Sequence, residues 1–226
     1  MLRAIVFDFD GVIADSEPLH CHAFQEVLAS EGLELTRTDY YGRYLGYSDA
    51  RAFDAIGSDQ GRAWTPDFIA ALVARKAERI QELERQTSVL FPGAEAFIRR
   101  AAELMALAIA SGALRAEIER ILEGANLTSC FSAIVAAEDV AASKPAPDPY
   151  LRAVELLSRQ ASVPLAPADC VAIEDSKWGI DSARAAGLRT IGVTNSYEAA
   201  ALSGADLVVS SLEGLDITTL RRRWSQ

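Results

Sequence analysis

Five short apolar runs recur after residue 90, at 104–110, 133–137, 170–173, 190–193 and 207–209, and helical patterns near 94–103, 115–125, 147–159, 176–186 and 197–202 are interleaved with them. A chain that alternates buried strands with helices has few ways to close. Its strands lie parallel in one sheet and its helices cover both faces. A further apolar run at 3–9 joins the set, so the expected fold is α/β, a Rossmann-like parallel sheet core with helices on both faces. Residues 15–88 break the rhythm, being helical in period and without a convincing strand, and they predict an inserted α-helical cap domain. The core is then 1–14 with 89–226, the chain leaving the sheet near Ala14 and returning at Leu90-Phe91-Pro92-Gly93.

Half of the 226 residues are hydrophobic, enough for one substantial core and a smaller second body, which excludes a disordered chain. A net charge of -10 argues against a partner bound through its phosphate backbone, so no nucleic acid is expected. Cys21, Cys130 and Cys170 are scattered and form no Cys-x-x-Cys pair, which predicts free thiols in a reducing compartment rather than disulfides or zinc ligands. The N-terminal stretch turns acidic at Asp8 before a signal-peptide apolar region completes itself, and no run reaches the ~18 apolar residues of a membrane span. The expectation is a cytoplasmic protein with no membrane partner, and a monomer, since no exposed heptad or long edge strand is evident.

The first strand runs straight into Asp8-Phe9-Asp10-Gly11. Successive residues of a strand alternate faces, so the two carboxylates share a side, and their repulsion calls for a proton or a cation; a divalent metal is the natural partner. Ligands of open parallel sheets bind beyond the carboxyl ends of the strands. There the sequence puts Asp8 and Asp10, then Ser111-Gly112, Lys144-Pro145 and Glu174-Asp175-Ser176. The set suits a phosphate monoester. Mg2+ held by Asp8 and Asp175 would screen the dianion, and Lys144 with the hydroxyl and N–H groups at Ser111-Gly112 would hold its oxygens. Asp8 would attack phosphorus to form an aspartyl phosphate, with Asp10 as acid and then base.

Two polar residues in the helical segment fall on apolar stripes. Lys76 sits amid Ile69, Leu72, Val73, Ile80 and Leu83, and must snorkel, pair or face a cleft. His20 faces inward with Phe24, Val27 and Leu28, as a core histidine or a functional one, while His22 faces outward. Residues two apart on a helix diverge by ~200°, which works against His20 and His22 as a metal pair. Arg221-Arg222-Arg223 reads as a solvated end beside a helix dipole.

The segments Asp8-Phe9-Asp10-Gly11-Val12, Ser111-Gly112, Lys144-Pro145-Ala146-Pro147-Asp148 and Glu174-Asp175-Ser176, with Gly179 and Ala186-Gly187, resemble the four motifs of the haloacid dehalogenase-like hydrolase superfamily. The likeness is to its phosphatase and beta-phosphoglucomutase-like branch with a small helical cap. The resemblance implies Asp8 as nucleophile, Asp10 as acid/base and backbone-carbonyl metal ligand, and Asp175 as metal ligand. It also implies Glu174 as a direct or outer metal residue, and Ser111 and Lys144 as phosphate holders. The family's dehalogenases lack the second aspartate, so Asp10 favours phosphoryl transfer. The beta-phosphoglucomutases carry a cap histidine, a Gly-x-Ser-Arg loop and a cap lysine, matched here by His20, Gly46-Tyr47-Ser48 and Lys76, which become substrate-binding candidates. Asp49 stands where the mutases place the arginine that grips the non-transferring phosphate, and Ala113-Leu114-Arg115 where they have serine, lysine and asparagine. Arg43, Arg51 or Arg115 could substitute. The expected function is a Mg2+-dependent phosphatase of small phosphorylated metabolites, of sugar phosphate or phosphoglycolate type. The alternatives are an intramolecular phosphomutase and a non-catalytic phosphate- or partner-binding protein.

Overall fold

The computed structural model describes residues 2–224. Its larger unit comprises the chain up to Asp15 and from Val89 on. Six strands, β1 (Ala4–Phe7), β2 (Ala106–Ala110), β3 (Ala133–Val135), β4 (Cys170–Glu174), β5 (Arg189–Val193) and β6 (Leu207–Val209), form one parallel sheet in the order β3-β2-β1-β4-β5-β6. This is a Rossmann-like order whose direction of winding reverses between β1 and β4, where such sheets bind their ligands. Phe7 pairs with both Ile109 and Ile173, so the next residue of each strand, Asp8, Ala110 and Glu174, lies one step further along the same rim.

The strands are short apolar segments because both faces are covered. On one face Ala4 and Val6 pack with Ala108, Val135 and Ala172 against Tyr150, Val154 and Leu157 of the helix Asp148–Gln160 and Ala183 of the helix Lys177–Ala185. On the other, Phe7 meets Phe97 of the helix Ala94–Ala102 edge-on at 6.1 Å and Phe131 at 5.9 Å. Alternate residues of β1 thus serve opposite layers.

The smaller unit, Ser16–Ser88, contains no strand. Its helices are α1 (Glu17–Ser30), α2 (Arg37–Asp39, continued by a π turn at Tyr40–Tyr44), α3 (Asp49–Asp59) and α4 (Pro66–Gln86), gathered on Phe24, Leu28, Tyr40, Phe53, Ile56 and Leu72. Thr65 caps α4 through a bond from the Phe68 N–H to its hydroxyl, and Pro66 supplies a first-turn residue that needs no N–H partner. An antiparallel bridge between Ala14 and Leu90, flanked by Asp15 N–H to Val89 O and Phe91 N–H to Ile13 O, closes the neck of the insertion within the larger unit. The remaining helices are α5 (Ala94–Ala102), α6 (Arg115–Gly124), α7 (Asp148–Gln160), α8 (Lys177–Ala185) and α9 (Ile217–Arg223).

Two elements differ from expectation. Residues 197–202 are turns, not a helix. Their bonds, Ala201 N–H to Glu198 O and Leu202 N–H to Ala199 O, span three residues, and the segment is too short to repay helix nucleation. Leu202 instead anchors it, buried over Gly192, whose added Cβ would come within 3.1 Å of Leu202 Cβ. Conversely α9 forms from a heptapeptide the periodicity does not single out: Asp216 caps it through the Thr219 N–H, and Ile217 and Leu220 are buried. Arg221–Arg223 fill its last turn, where basic side chains oppose the helix dipole. The three cysteines are free. Among the described residues, no helix is long and apolar enough to cross a membrane.

Candidate active site

β1 ends at Phe7, and the Asp8 N–H bonds to Ile173 O at 2.9 Å, carrying the ladder one residue further. The chain then folds into a tight turn, with the Ile13 and Ala14 N–H groups both donating to Phe9 O. Asp10 lies beyond the end of the strand, in an isolated bridge with Ala14. The carboxylates that gather with Asp8 are those of Glu174 and Asp175, at the end of the neighbouring β4, with one ligand atom from each within 4.8 Å of the others. All three are buried.

Burial pushes the Asp8 carboxyl well above the usual carboxylate range; Lys144 opposes the shift and the charges of Glu174 and Asp175 add to it. Asp175 is pushed up to about 6, by burial first and by Glu174, against a hydrogen bond from Ser196. One lysine enters the cluster. Lys144 Nζ donates to Asp8 Oδ1 at 2.8 Å and Glu174 Oε1 at 2.6 Å. Burial works against its charge, but the two carboxylates outweigh that and hold its pKa above the ordinary lysine value.

Three carboxylates against one lysine leave a buried excess of negative charge, which a divalent cation fits and a monovalent side chain does not balance. The glycines beside the cluster keep it open. A Cβ on Gly11 would lie 1.8 Å from Asp175 Oδ2, and one on Gly179 1.8 Å from Glu174 Oε1. Glu174 itself is fully engaged: Oε1 accepts from Lys144 and the Tyr150 hydroxyl, and Oε2 from the Asp175 and Ser176 N–H groups and the Ser176 hydroxyl. Of the two roles open to it, this arrangement suits the outer one, fixing Lys144 and the loop that carries Asp175.

Ser111 follows β2 and is buried; its hydroxyl accepts the Ala113 N–H at 3.0 Å, which leaves the hydroxyl proton to donate elsewhere. Gly112 beside it is exposed, with nothing within 4 Å of a Cβ. Ser176 caps α8 through the Gly179 N–H. Arg115 is not a free cation: it binds Asp139, Glu119 and Ile134 O, clamping the start of α6 to the turn after β3. Sequence reasoning missed Tyr150, which donates to Glu174 at 2.8 Å with the Lys144 ammonium 5.1 Å above its ring, and the pair Asn195 and Ser196 after β5. Asn195 Nδ2 donates to Gly11 O at 2.8 Å. The available signal was position: both lie just past a strand end on the same rim.

In the smaller unit two of the candidates, Lys76 and His20, meet. Lys76 is 1% exposed and does not snorkel. Its ammonium pairs with Asp49 Oδ1 at 2.5 Å, lies 3.0 Å from His20 Nδ1 and sits 4.3 Å over the Phe24 ring. His22 is exposed and pairs with Glu26, as its position on the helix predicts. Gly46 takes a left-handed turn at φ 81°, and Ser48 caps α3 by accepting the Arg51 N–H. Arg51 stacks on Tyr47 at 3.9 Å, and Arg43 pairs with Asp59.

Comparison with known proteins matches residues 5–193 to the haloacid dehalogenase-like hydrolase family. The chain is 37% identical over 207 residues to protein CbbY of Rhodobacter capsulatus, covering 87% of each chain. It is 31% identical over 191 residues to hexitol phosphatase B of Escherichia coli strain K12, covering 84% of this chain and 82% of that one. The crystal structure of a putative beta-phosphoglucomutase from Thermotoga maritima superposes with a TM-score of 0.82 at 25% identity, covering 98% of this chain and 99% of the other. With its parallel sheet, its carboxylate-lined rim and this breadth of similarity, the chain belongs to the haloacid dehalogenase-like hydrolases.

Proposed function

We propose that the chain is a Mg2+-dependent phosphatase of small phosphorylated metabolites of the sugar phosphate class, working through an aspartyl phosphate on Asp8. The observation that carries this reading is the buried excess of carboxylate at the rim where β1 and β4 meet, with a single lysine tied to Asp8. Relatedness to hexitol phosphatase B supports the substrate class.

Asp8 and Asp175, with the backbone carbonyl of Asp10, would hold Mg2+, which supplies the positive charge that lets one anion approach another. Asp8 attacks phosphorus, forming the Asp8 Oδ–P bond as the ester P–O bond breaks, and Asp10 protonates the leaving alkoxide. Asp10, now ionised, takes a proton from water; that water attacks phosphorus, breaks the Asp8–phosphate bond and restores the carboxylate. Lys144, kept charged by Asp8 and Glu174, and the Ser111 hydroxyl hold the phosphoryl oxygens as their charge redistributes.

The test is phosphate release from a panel of phosphorylated metabolites with Mg2+, with Asp8→Asn as control. Release that requires both metal and Asp8 is the expected result; equal release by a folded Asp8→Asn chain would refute the nucleophile. Similarity to a putative beta-phosphoglucomutase favours a second reading. Conversion of beta-glucose 1-phosphate to glucose 6-phosphate with little free phosphate would replace the phosphatase by a mutase.

A further inference from the structure

The turn that carries Asp10 takes its shape from its own bonds: Phe9 O accepts the Ile13 and Ala14 N–H groups, and the Gly11 N–H donates to Ala14 O. Those bonds leave the Gly11 carbonyl to be met from outside the turn. Its partner comes from the other end of the chain, where Asn195 Nδ2 donates to Gly11 O at 2.8 Å. Gly11 holds a left-handed φ of 78°, and Asp175 leaves no room for a Cβ there, so the direction of this carbonyl belongs to a backbone that another residue would strain. Asn195 is itself anchored. It follows Thr194, whose N–H bonds to Val209 O of β6 at 3.0 Å, and its neighbour Ser196 bonds to the Asp175 carboxylate. The loop after β5 thus holds the Asp10 turn through Asn195 and Asp175 through Ser196, reaching past β4, which lies between β5 and β1.

Building on the phosphatase reading, in which Asp10 protonates the leaving alkoxide, we propose that Asn195 is a positioning residue for that proton transfer, its amide holding the turn so that Asp10 reaches the ester oxygen. The physical basis is distance. A general acid works only within hydrogen-bond reach of the atom it protonates, roughly 2.6–3.2 Å. A turn held by internal bonds alone keeps its shape yet can shift as a body. The Asp8 N–H bond to Ile173 O fixes the near side of this turn against β4, and the Asn195 bond fixes the far side against β5. That second tie requires a donor. Gly11 O can only accept, so an amide serves and an ionised aspartate of the same shape does not.

The experiment compares kcat/KM for p-nitrophenyl phosphate and benzyl phosphate in the full chain with Mg2+. The two monoesters are of similar size, but nitrophenolate leaves without a proton whereas the benzyl alkoxide requires one, so their ratio reads the acid step. Because kcat/KM covers formation of the aspartyl phosphate and not its hydrolysis, the later role of Asp10 as base does not enter. Asp10→Asn calibrates the ratio and should lower benzyl phosphate relative to p-nitrophenyl phosphate by about 100-fold or more. Asn195→Ala is expected to shift the ratio in the same direction by about tenfold or more. Asn195→Asp, isosteric but without a donor at neutral pH, should do likewise, and it stands in should the alanine variant fail to fold. Ser196→Ala removes the neighbouring bond to Asp175 and should leave the ratio unchanged, as should any merely structural loss, which lowers both esters alike. Equal losses on the two esters, or none, in folded Asn195 variants overturn the role of Asn195 and leave the phosphatase intact. An equal shift in Ser196→Ala also overturns it, since any disturbance of the loop would then suffice. An unshifted ratio in Asp10→Asn removes the acid and this inference with it, while Asp8-dependent release keeps the phosphatase. Absence of Asp8-dependent release from every ester overturns the phosphatase reading itself.

Discussion

Replacing Asp175 by asparagine should make the metal-free protein more stable at neutral pH, although it removes a metal ligand. The folded-state pKa of Asp175 is raised from 3.8 to about 6, chiefly by burial. A raised carboxylate binds more protons folded than unfolded, so its ionisation opposes folding: metal-free stability falls as pH rises from about 4 through about 6. A rise from 3.8 to about 6 corresponds to ~3 kcal/mol of lost stability, present in full above about pH 7 and absent below about pH 4. Asparagine has the same shape, still accepts from Ser196 through its carbonyl, and never ionises. In a chelator at about pH 8, Asp175→Asn should therefore melt ~6–12 °C above the wild type, the gain vanishing toward about pH 4. Adding Mg2+ should reverse the order, raising the wild type by linkage and leaving the variant nearly unmoved. Thermal melts of both proteins across pH, with Mg2+ and with chelator, decide the matter. A variant less stable than the wild type in chelator at about pH 8, or a gain that does not change with pH, would refute the reasoning, because the burial of charge would then not be what Asp175 contributes.

Other consequences follow from the packing around the same rim. Gly179→Ala drives a Cβ into the Glu174 carboxylate, so it should cost at least ~2 kcal/mol in denaturant unfolding and lower kcat by about tenfold through displacement of Lys144; a neutral effect on both would mean the loop yields freely. Arg115→Met releases only a partly exposed clamp between α6 and the turn after β3, so stability should fall by no more than ~1 kcal/mol and KM should stay within about twofold. A KM raised about tenfold with unchanged kcat would return Arg115 to the role of substrate grip.

The carboxylate rim was legible in advance because it depends on covalent order: Asp8, Ser111 and Asp175 each stand one residue past the end of a strand, and a parallel sheet brings all strand ends to one side. Partnerships within it were not. Asp8 and Asp10 look paired in the sequence, yet the strand stops at Phe7, Asp10 stands beyond it in a bridge with Ala14, and the carboxylates clustered with Asp8 are Glu174 and Asp175 from the end of β4. Tyr150 reads as one more apolar position of α7, and only the layer packing of that helix on the sheet directs its hydroxyl to Glu174. Helix periodicity marked Lys76 as anomalous but left three outcomes open. The choice among them belongs to Asp49 and His20, distant in sequence and close in space.

The sequence by itself determined the parallel α/β core, the helical insertion, the identity of the carboxylates and lysine that line the rim, and the inward turn of His20 and Lys76. Those follow from periods of two and 3.6 and from residue chemistry, which need no knowledge of neighbours. Tertiary structure decided which carboxylates share a cluster, that Glu174 is saturated by hydrogen bonds, that glycines at 11 and 179 make room for acids, and that the buried lysine is already paired. These are distances between residues far apart in the chain, set by the sheet register and the packing of helices, and a one-dimensional pattern holds no term for them.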